Sequence, residues 1–171
     1  MQIIALIPAA GKGERFGMPK VDAMFNGISF SEKIIAALQE AGITQYVVIR
    51  DVDTPDMLAS LKVGMDSFHS QNVHPDGWLI WPVDHPMVKP ETISILIKEF
   101  SAKTNSIIVP SYNNRNGHPI IIPGFMTIPD KPEPAGLKGI ILKSHNPIEH
   151  IEVDDDGILK NINTPEDVHY V

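Results

Sequence analysis

The sequence predicts an α/β fold with a mainly parallel central sheet. Short apolar runs recur along the chain, stretches with helical spacing lie between them, and prolines or polar turn residues separate the two. Ile3, Ile4, Leu6 and Ile7 form the first run, which ends at Pro8 and reads as a strand buried on both faces. Ser29-Phe30-Ser31-Glu32 has the form of a capping box. Ile34, Ile35, Leu38 and Ala41 then keep helical spacing until Gly42 stops the helix. "QYVVIR" reads as a second buried strand. Thr54-Pro55-Asp56 predicts a helix with threonine at the N-cap and proline in the first turn.

"GWLIWPVDHP" contains the third strand, and "KPETISILIKEF" a third helix with Ile93, Leu96, Ile97 and Phe100 on one face. "SIIVP" and "HPIIIP" are further strands, and Leu137 to Ser144 a short helix. "IEHIEVDDDGILKNI" reads as two strands around an Asp-Gly turn. Thr164-Pro165-Glu166-Asp167 predicts the start of a final helix. No internal repeat or linker is visible. "IPDKPEPAG" reads as a loose loop, and residues 1–171 as one domain.

Composition narrows the function. The 171 residues suit one globular core, with 43% hydrophobic and 20% charged side chains. A formal net charge of −7 argues against binding duplex nucleic acid, which needs a basic face. It leaves room for a small phosphorylated ligand held by a local basic loop. With no cysteine, disulfides, thiolate metal sites and a cysteine nucleophile are excluded. The N-terminal apolar run is far shorter than the roughly 20 residues that span a bilayer. A soluble, cytoplasmic protein without a membrane partner is expected.

Two features carry chemistry. The first is "LIPAAGKGERFGMPK", where Gly11, Gly13 and Gly17 follow a strand. Glycine lets backbone N–H groups approach an anion closely, and Arg15 and Lys20 add charge suited to phosphate. A P-loop would require a glycine followed by Lys and then Ser or Thr, which this loop lacks. A dinucleotide fingerprint would place its third glycine at Phe16 and an acidic residue earlier than Asp51. A nucleotidyltransferase loop is the third reading, and a plain strand-to-helix turn the fourth. The second feature is Asp84, which "IWPVDHPMV" places at the carboxyl end of a strand. Ligands of open α/β sheets bind at that edge, and Mg²⁺ favours one or two carboxylates together with substrate phosphates. An N-cap or surface turn is the competing role.

The sequence resembles the nucleotidyltransferases related to molybdenum cofactor cytidylyl- and guanylyltransferases, on the cytidylyl side. "PAAGKGERFGMPK" is similar to that family's A-A-G-x-S/G-x-R-x-G-x-x-K loop, and "VDHPMV" to its D-x-P-x-V segment. "RNGHPIIIP" resembles R-x-G-H-P, and "NINTPEDV" resembles D-x-D-T-P-E-D-L. The four segments occur in family order across nearly the whole chain. The resemblance implies a Rossmann-like three-layer nucleotidyltransferase fold. It also implies transfer of a nucleoside monophosphate from a nucleoside triphosphate, with Mg²⁺, to a phosphorylated small-molecule acceptor such as molybdopterin. By the same resemblance Ala9, Ala10, Gly11 and Gly13 approach the base and phosphates. Arg15 and Lys20 contact the triphosphate and act in catalysis. Asp84 and Asn163 are the metal positions, and Arg115 and His118 lie on the acceptor side. The chain departs from the cytidylyltransferase pattern at Asn161 and Asn163, where that group has Asp. The segment between "DVDTPD" and "GWLIWP" is also short. A methyl group at Ala10, where guanylyltransferases tend to have glycine, favours CTP over GTP.

Other readings have less behind them. An inactive nucleotide-binding or sensor relative would explain the two asparagines. A sugar- or alcohol-phosphate nucleotidyltransferase fits the same motifs, and a nicotinamide oxidoreductase lacks the fingerprint spacing. The seven histidines lack zinc-site spacing. Asp154-Asp155-Asp156 reads as a solvated turn rather than a calcium loop. Trp78 and Trp81 read as core aromatics.

Overall fold

The computed structural model describes residues 1–9, 22–25, 27–50, 52, 54–131, 133–164 and 167. In chain order they form β1 (Ile3–Pro8), β2 (Met24–Phe25), β3 (Ile28–Ser29), α1 (Phe30–Glu40), β4 (Tyr46–Ile49), α2 (Met57–His69) and β5 (Gly77–Ile80). Then follow α3 (Pro90–Ala102), β6 (Ile107–Tyr112), β7 (Arg115–Asn116), β8 (Ile120–Pro123), α4 (Gly136–Lys143), β9 (Ile148–Glu152) and a 3₁₀ turn at Asp156–Leu159.

Seven strands make one sheet in the order β4-β1-β5-β8-β6-β7, with β9 paired to β6. It is mixed. β1 runs parallel to β4 and β5, and β9 parallel to β6, whereas β8 enters antiparallel to both β5 and β6. Alternation along the strands sorts the core into two layers. Ile3, Ala5 and Ile7 of β1, with Leu79, Ile108 and Ile121, pack with Ile34 and Leu38 of α1 and Leu96 and Phe100 of α3. Ile4 and Leu6, with Trp78, Ile80, Ile107 and Ile120, pack with Leu61 and Met65 of α2 and Leu137 of α4. The result is the three-layer α/β arrangement. Trp78 and Trp81 are fully buried core residues, one in each cluster.

Local chemistry explains most element boundaries. Ser29 accepts from Glu32 N and the Glu32 carboxylate accepts from Ser29 N, so α1 starts at the capping box. Gly42, at φ 85°, supplies the left-handed residue that ends it. Asn113 and Asn114, at φ 50° and 60°, turn β6 into β7 in the manner of a two-residue hairpin loop.

The structure corrects several expectations. The N-cap of α2 is Asp56, whose carboxylate accepts from Ala59 N, and not Thr54. The Thr54 hydroxyl instead pairs with that of Ser60, one turn into the helix, at 2.6 Å. β4 is an edge strand with only Ile49 buried, so it lacks the two-sided burial its apolar run suggested. The Asp-Gly segment makes no hairpin. β9 ends at Glu152 and the chain enters the 3₁₀ turn, because the Asp155 carboxylate captures Gly157 N at 3.0 Å. The aspartate run is not wholly solvated either, since Asp155 is 2% exposed. At the final predicted helix, Asp167 N donates to Thr164 Oγ1 and the Asp167 carboxylate accepts from Thr164 N, a reciprocal capping pair. The remainder of that predicted helix lies outside the described residues.

Candidate functional site

The carboxyl edge of the sheet is where the chain converges. Beyond β1, Ala9 N donates to Ile49 O at 3.0 Å. Beyond β5, Trp81 N donates to Leu6 O and Val83 N to Pro8 O, at 2.9 and 3.3 Å. The two strand ends therefore stay side by side, and Asp84 and Ala9 line one cleft. A cleft of about 320 Å³ opens there, lined by Pro8, Ala9, Thr54, Asp56, Val83 and Asp84 among others. It lies at the edge where open α/β sheets take their ligands.

Three segments build the surroundings of Asp84. His85 follows it, with Trp81 Nε1 donating to His85 O at 2.9 Å. The His85 ring approaches the Asp84 carboxylate, Nε2 to Oδ1 at 3.8 Å. From the C-terminal segment, Ile162 N donates to Asp84 O at 2.8 Å, which brings Asn163 to within one residue of that bond. Asn163 N in turn donates to the Asp167 carboxylate at 2.8 Å. From the β7–β8 connection, His118 packs its ring against His85, centroids 4.9 Å apart. Burial, and then the charge of His85, push the His118 pKa down to about 4, against an opposing pull from Asp84. His118 is thus a neutral imidazole at neutral pH.

The 155–163 segment holds the other two in place. The Asp155 carboxylate accepts from Lys89 N at 2.9 Å and from Thr92 Oγ1 at 2.7 Å, pinning the segment to the start of α3. His118 N donates to Ile158 O at 3.0 Å. Two glycines permit this approach. A Cβ on Gly117 would lie 2.4 Å from Ile158 O, and one on Gly157 would lie 2.2 Å from Met87 O. Asp155 is a site-shaping residue that sequence reasoning missed. Two of its three donors, Lys89 N and Thr92 Oγ1, lie far away in the sequence and reach it only through folding. Thr54 and Asp56, read in the sequence only as helix-start residues, and Ser60 were also missed as cleft residues.

The structure brings Ala9, Asp84, Asn163 and His118 to one region. Arg115 sits exposed in β7, outside the residues that line the cleft. Ala10, Gly11, Gly13, Arg15 and Lys20 lie outside the described residues. Among the described residues no group of three or more His, Cys, Asp or Glu side chains could hold a metal ion. The side chains of Asp84 and Asn163 carry oxygen donors, the chemistry that Mg²⁺ takes when its remaining ligands are substrate phosphate oxygens and water. No described helix is long and apolar enough to cross a membrane.

This fold, with its cleft at the ends of β1 and β5, is the nucleotidyltransferase-type, Rossmann-like α/β architecture. Residues 47–130 match the model of the MobA-like NTP transferase domain. The chain is 31% identical over 132 residues, 64% of its length, to a Bacillus cereus (strain ATCC 10987 / NRS 248) protein described as "Probable molybdenum cofactor guanylyltransferase". The match spans 62% of that relative, less than two thirds of it. In fold it is similar to Rv0371c from Mycobacterium tuberculosis H37Rv, with a TM-score of 0.80, 22% identity, and 99% and 97% of the two chains covered. A structure of Rv0371c in complex with manganese superposes with a TM-score of 0.69 at 20% identity, covering 99% and 97%. The 2-C-methyl-D-erythritol 4-phosphate cytidylyltransferase from Thermus thermophilus has a TM-score of 0.73 at 14% identity, again covering 99% and 97%.

Proposed function

We propose that the protein is a nucleotidyltransferase that uses a divalent metal, Mg²⁺ in the first instance. It passes a nucleoside monophosphate from a nucleoside triphosphate to a phosphorylated small molecule such as molybdopterin. The observation that supports this best is the cleft at the carboxyl edge of the sheet lined by Ala9 and Asp84, with Ile162 next to Asn163 hydrogen-bonded to the backbone of Asp84. An oxygen of the acceptor phosphate forms a bond to the α-phosphorus, the bond from that phosphorus to the β-phosphate bridging oxygen breaks, and pyrophosphate leaves. An ionised phosphate needs no strong general base, so positioning and charge stabilisation supply the catalysis.

Ala9, Ala10, Gly11 and Gly13 hold the nucleotide through the loop backbone. Arg15 and Lys20 grip the triphosphate and stabilise charge on the departing pyrophosphate. Asp84 and Asn163 hold the metal, which neutralises phosphate charge when bound. Neutral His118, on the acceptor side with Arg115, offers a hydrogen bond without adding positive charge. CTP is the nucleotide proposed, because the Ala10 methyl takes space that a purine needs. Such a contact is worth about 1–3 kcal/mol, so GTP is disfavoured and not excluded. The guanylyltransferase name of the Bacillus cereus relative favours the opposite choice. Pyrophosphate release with Mg²⁺ and matched CTP or GTP, across a panel of phosphomonoesters, tests the reading. A higher kcat/KM for CTP, narrowed in Ala10→Gly, supports it. A higher kcat/KM for GTP overturns the cytidylyl choice, and no release with any acceptor overturns the transferase.

A further inference from the structure

The sheet ends differently on its two sides. At one end, β9 carries Glu149, His150 and Glu152 among its five residues. Glu149 pairs with Lys103 at 2.7 Å, and Glu152 accepts from Ser111 Oγ and Asn113 N. Charged side chains of this kind keep a sheet edge from adding further strands. At the other end, β4 reads Tyr46-Val47-Val48-Ile49, with no charge, proline or glycine. Gln45 O and Ile49 O accept from Ala5 N and Ala9 N, so the odd-numbered residues turn their backbone groups toward β1. Alternation then turns the N–H and C=O of Tyr46 and Val48 outward. Among the described residues no strand pairs with that side of β4. Tyr46, Val47 and Val48 are only half-buried. Tyr46 and Val48 lie against the layer of α1 and α3, and Val47 against the layer of α2 and α4.

We propose that this edge binds a second copy of the chain, β4 against β4, as an antiparallel pair about a two-fold axis at Val47. Such an axis keeps each face of the sheet on its own side, so opposed residues share a face. Centred on Val47, it sets Tyr46 opposite the second copy's Val48, and Val47 opposite its own counterpart. The two Tyr46–Val48 pairs exchange their outward N–H and C=O groups, so the main chains satisfy each other across the axis. On the α1 side an aromatic ring meets a β-branched side chain twice, a favoured cross-strand pair. On the α2 side two valines meet. Uncharged Gln45 closes each end of the span against Ile49. Each copy carries a formal net charge of −7, so two copies repel unless they meet through an uncharged stretch. β4 is such a stretch, and under the two-fold it is its own complement. The cleft residues Thr54 and Asp56 lie beyond the paired span, and the proposal stands apart from the transferase reading. The contact is small beside the roughly 800 Å² per partner of a stable complex, so the dimer is weak, with a Kd on the order of 10–100 µM.

Sedimentation equilibrium of the intact protein, from about 5 to about 500 µM, tests the association. Wild type is expected to pass from monomer to dimer across that range. Val47→Lys sets two like charges directly opposite each other and is expected to weaken the dimer at least ten-fold. A second measurement locates the contact without adding charge. The chain has no cysteine, so Val47→Cys introduces its one thiol. In a cross-strand pair without main-chain hydrogen bonds the Cα atoms lie about 4.5 Å apart, within disulfide range. Mild oxidation is expected to link Val47→Cys into a covalent dimer. Val48→Cys, which faces Tyr46, and Leu142→Cys, exposed on α4, are expected to stay largely unlinked. A monomer throughout the range overturns the proposal and leaves the edge to some other strand. A dimer that Val47→Lys leaves intact overturns it too, as does equal linking of the three cysteine variants.

Discussion

Asp155→Ala removes a carboxylate that is 2% exposed and accepts three hydrogen bonds, from Lys89 N, Thr92 Oγ1 and Gly157 N. Hydrogen bonds to a charged acceptor contribute about 1.5–3 kcal/mol each, and losing the acceptor leaves buried donors unsatisfied. Lys89 is exposed, so water can replace one of the three. The bonds share one carboxylate and do not add fully. A loss of about 2–4 kcal/mol follows, which for a chain of this size lowers the melting temperature by roughly 5–15 °C. Urea unfolding of wild type and variant measures it directly. The variant should also weaken Mg²⁺-dependent nucleotide binding, because the 155–163 segment loses its anchor to α3 while still carrying Asn163. A loss below about 1 kcal/mol, at the level of an exposed turn residue, would refute the claim that Asp155 organises this side of the site.

Gly117→Ala places a methyl group 2.4 Å from Ile158 O and 2.7 Å from Ile158 Cγ1, so the segment must move. Overpacking of this kind costs about 1–3 kcal/mol, and urea unfolding together with nucleotide titration should show both the loss and weaker binding; an unchanged protein contradicts the close approach. His118 gives a pH dependence with a defined sign. Its pKa in the folded chain, about 4, lies below the ordinary 6.5, so the unfolded chain takes up the proton first as pH falls. The stability that His118 permits is fully present above pH 6.5 and is lost as pH drops toward 4, by up to about 3 kcal/mol. Urea unfolding between pH 7 and 4.5 in the presence of a chelator should show a shallower slope for His118→Gln, and identical slopes would refute the burial argument.

The parts of the molecule legible in the sequence are those whose cause is local. β1 announces itself because every residue from Ile3 to Pro8 is buried, and α1 because both halves of its capping box lie within four residues. Asp84 was readable for a similar reason, since Pro82 lies just past the end of the strand at Ile80 and the chain beyond it sits at the carboxyl edge of the sheet. What was not legible depends on partners far along the chain. The Asp156-Gly157 pair carries a strong hairpin signal, but Asp155 is claimed by Lys89 and Thr92, and that tertiary bond decides the segment. Thr54 looked like the cap of α2 because it precedes Pro55; Asp56, two residues on, outcompetes it.

The central claim is that the cleft between Ala9 and Asp84 binds a metal–nucleotide complex. Calorimetric titration of CTP and GTP into wild type and Asp84→Asn, each with Mg²⁺ and with EDTA, tests it most directly. The account predicts that Mg²⁺ strengthens nucleotide binding to wild type, and that Asp84→Asn abolishes this gain while melting at the wild-type temperature. Equal Mg²⁺-dependent affinity in the two proteins would contradict it.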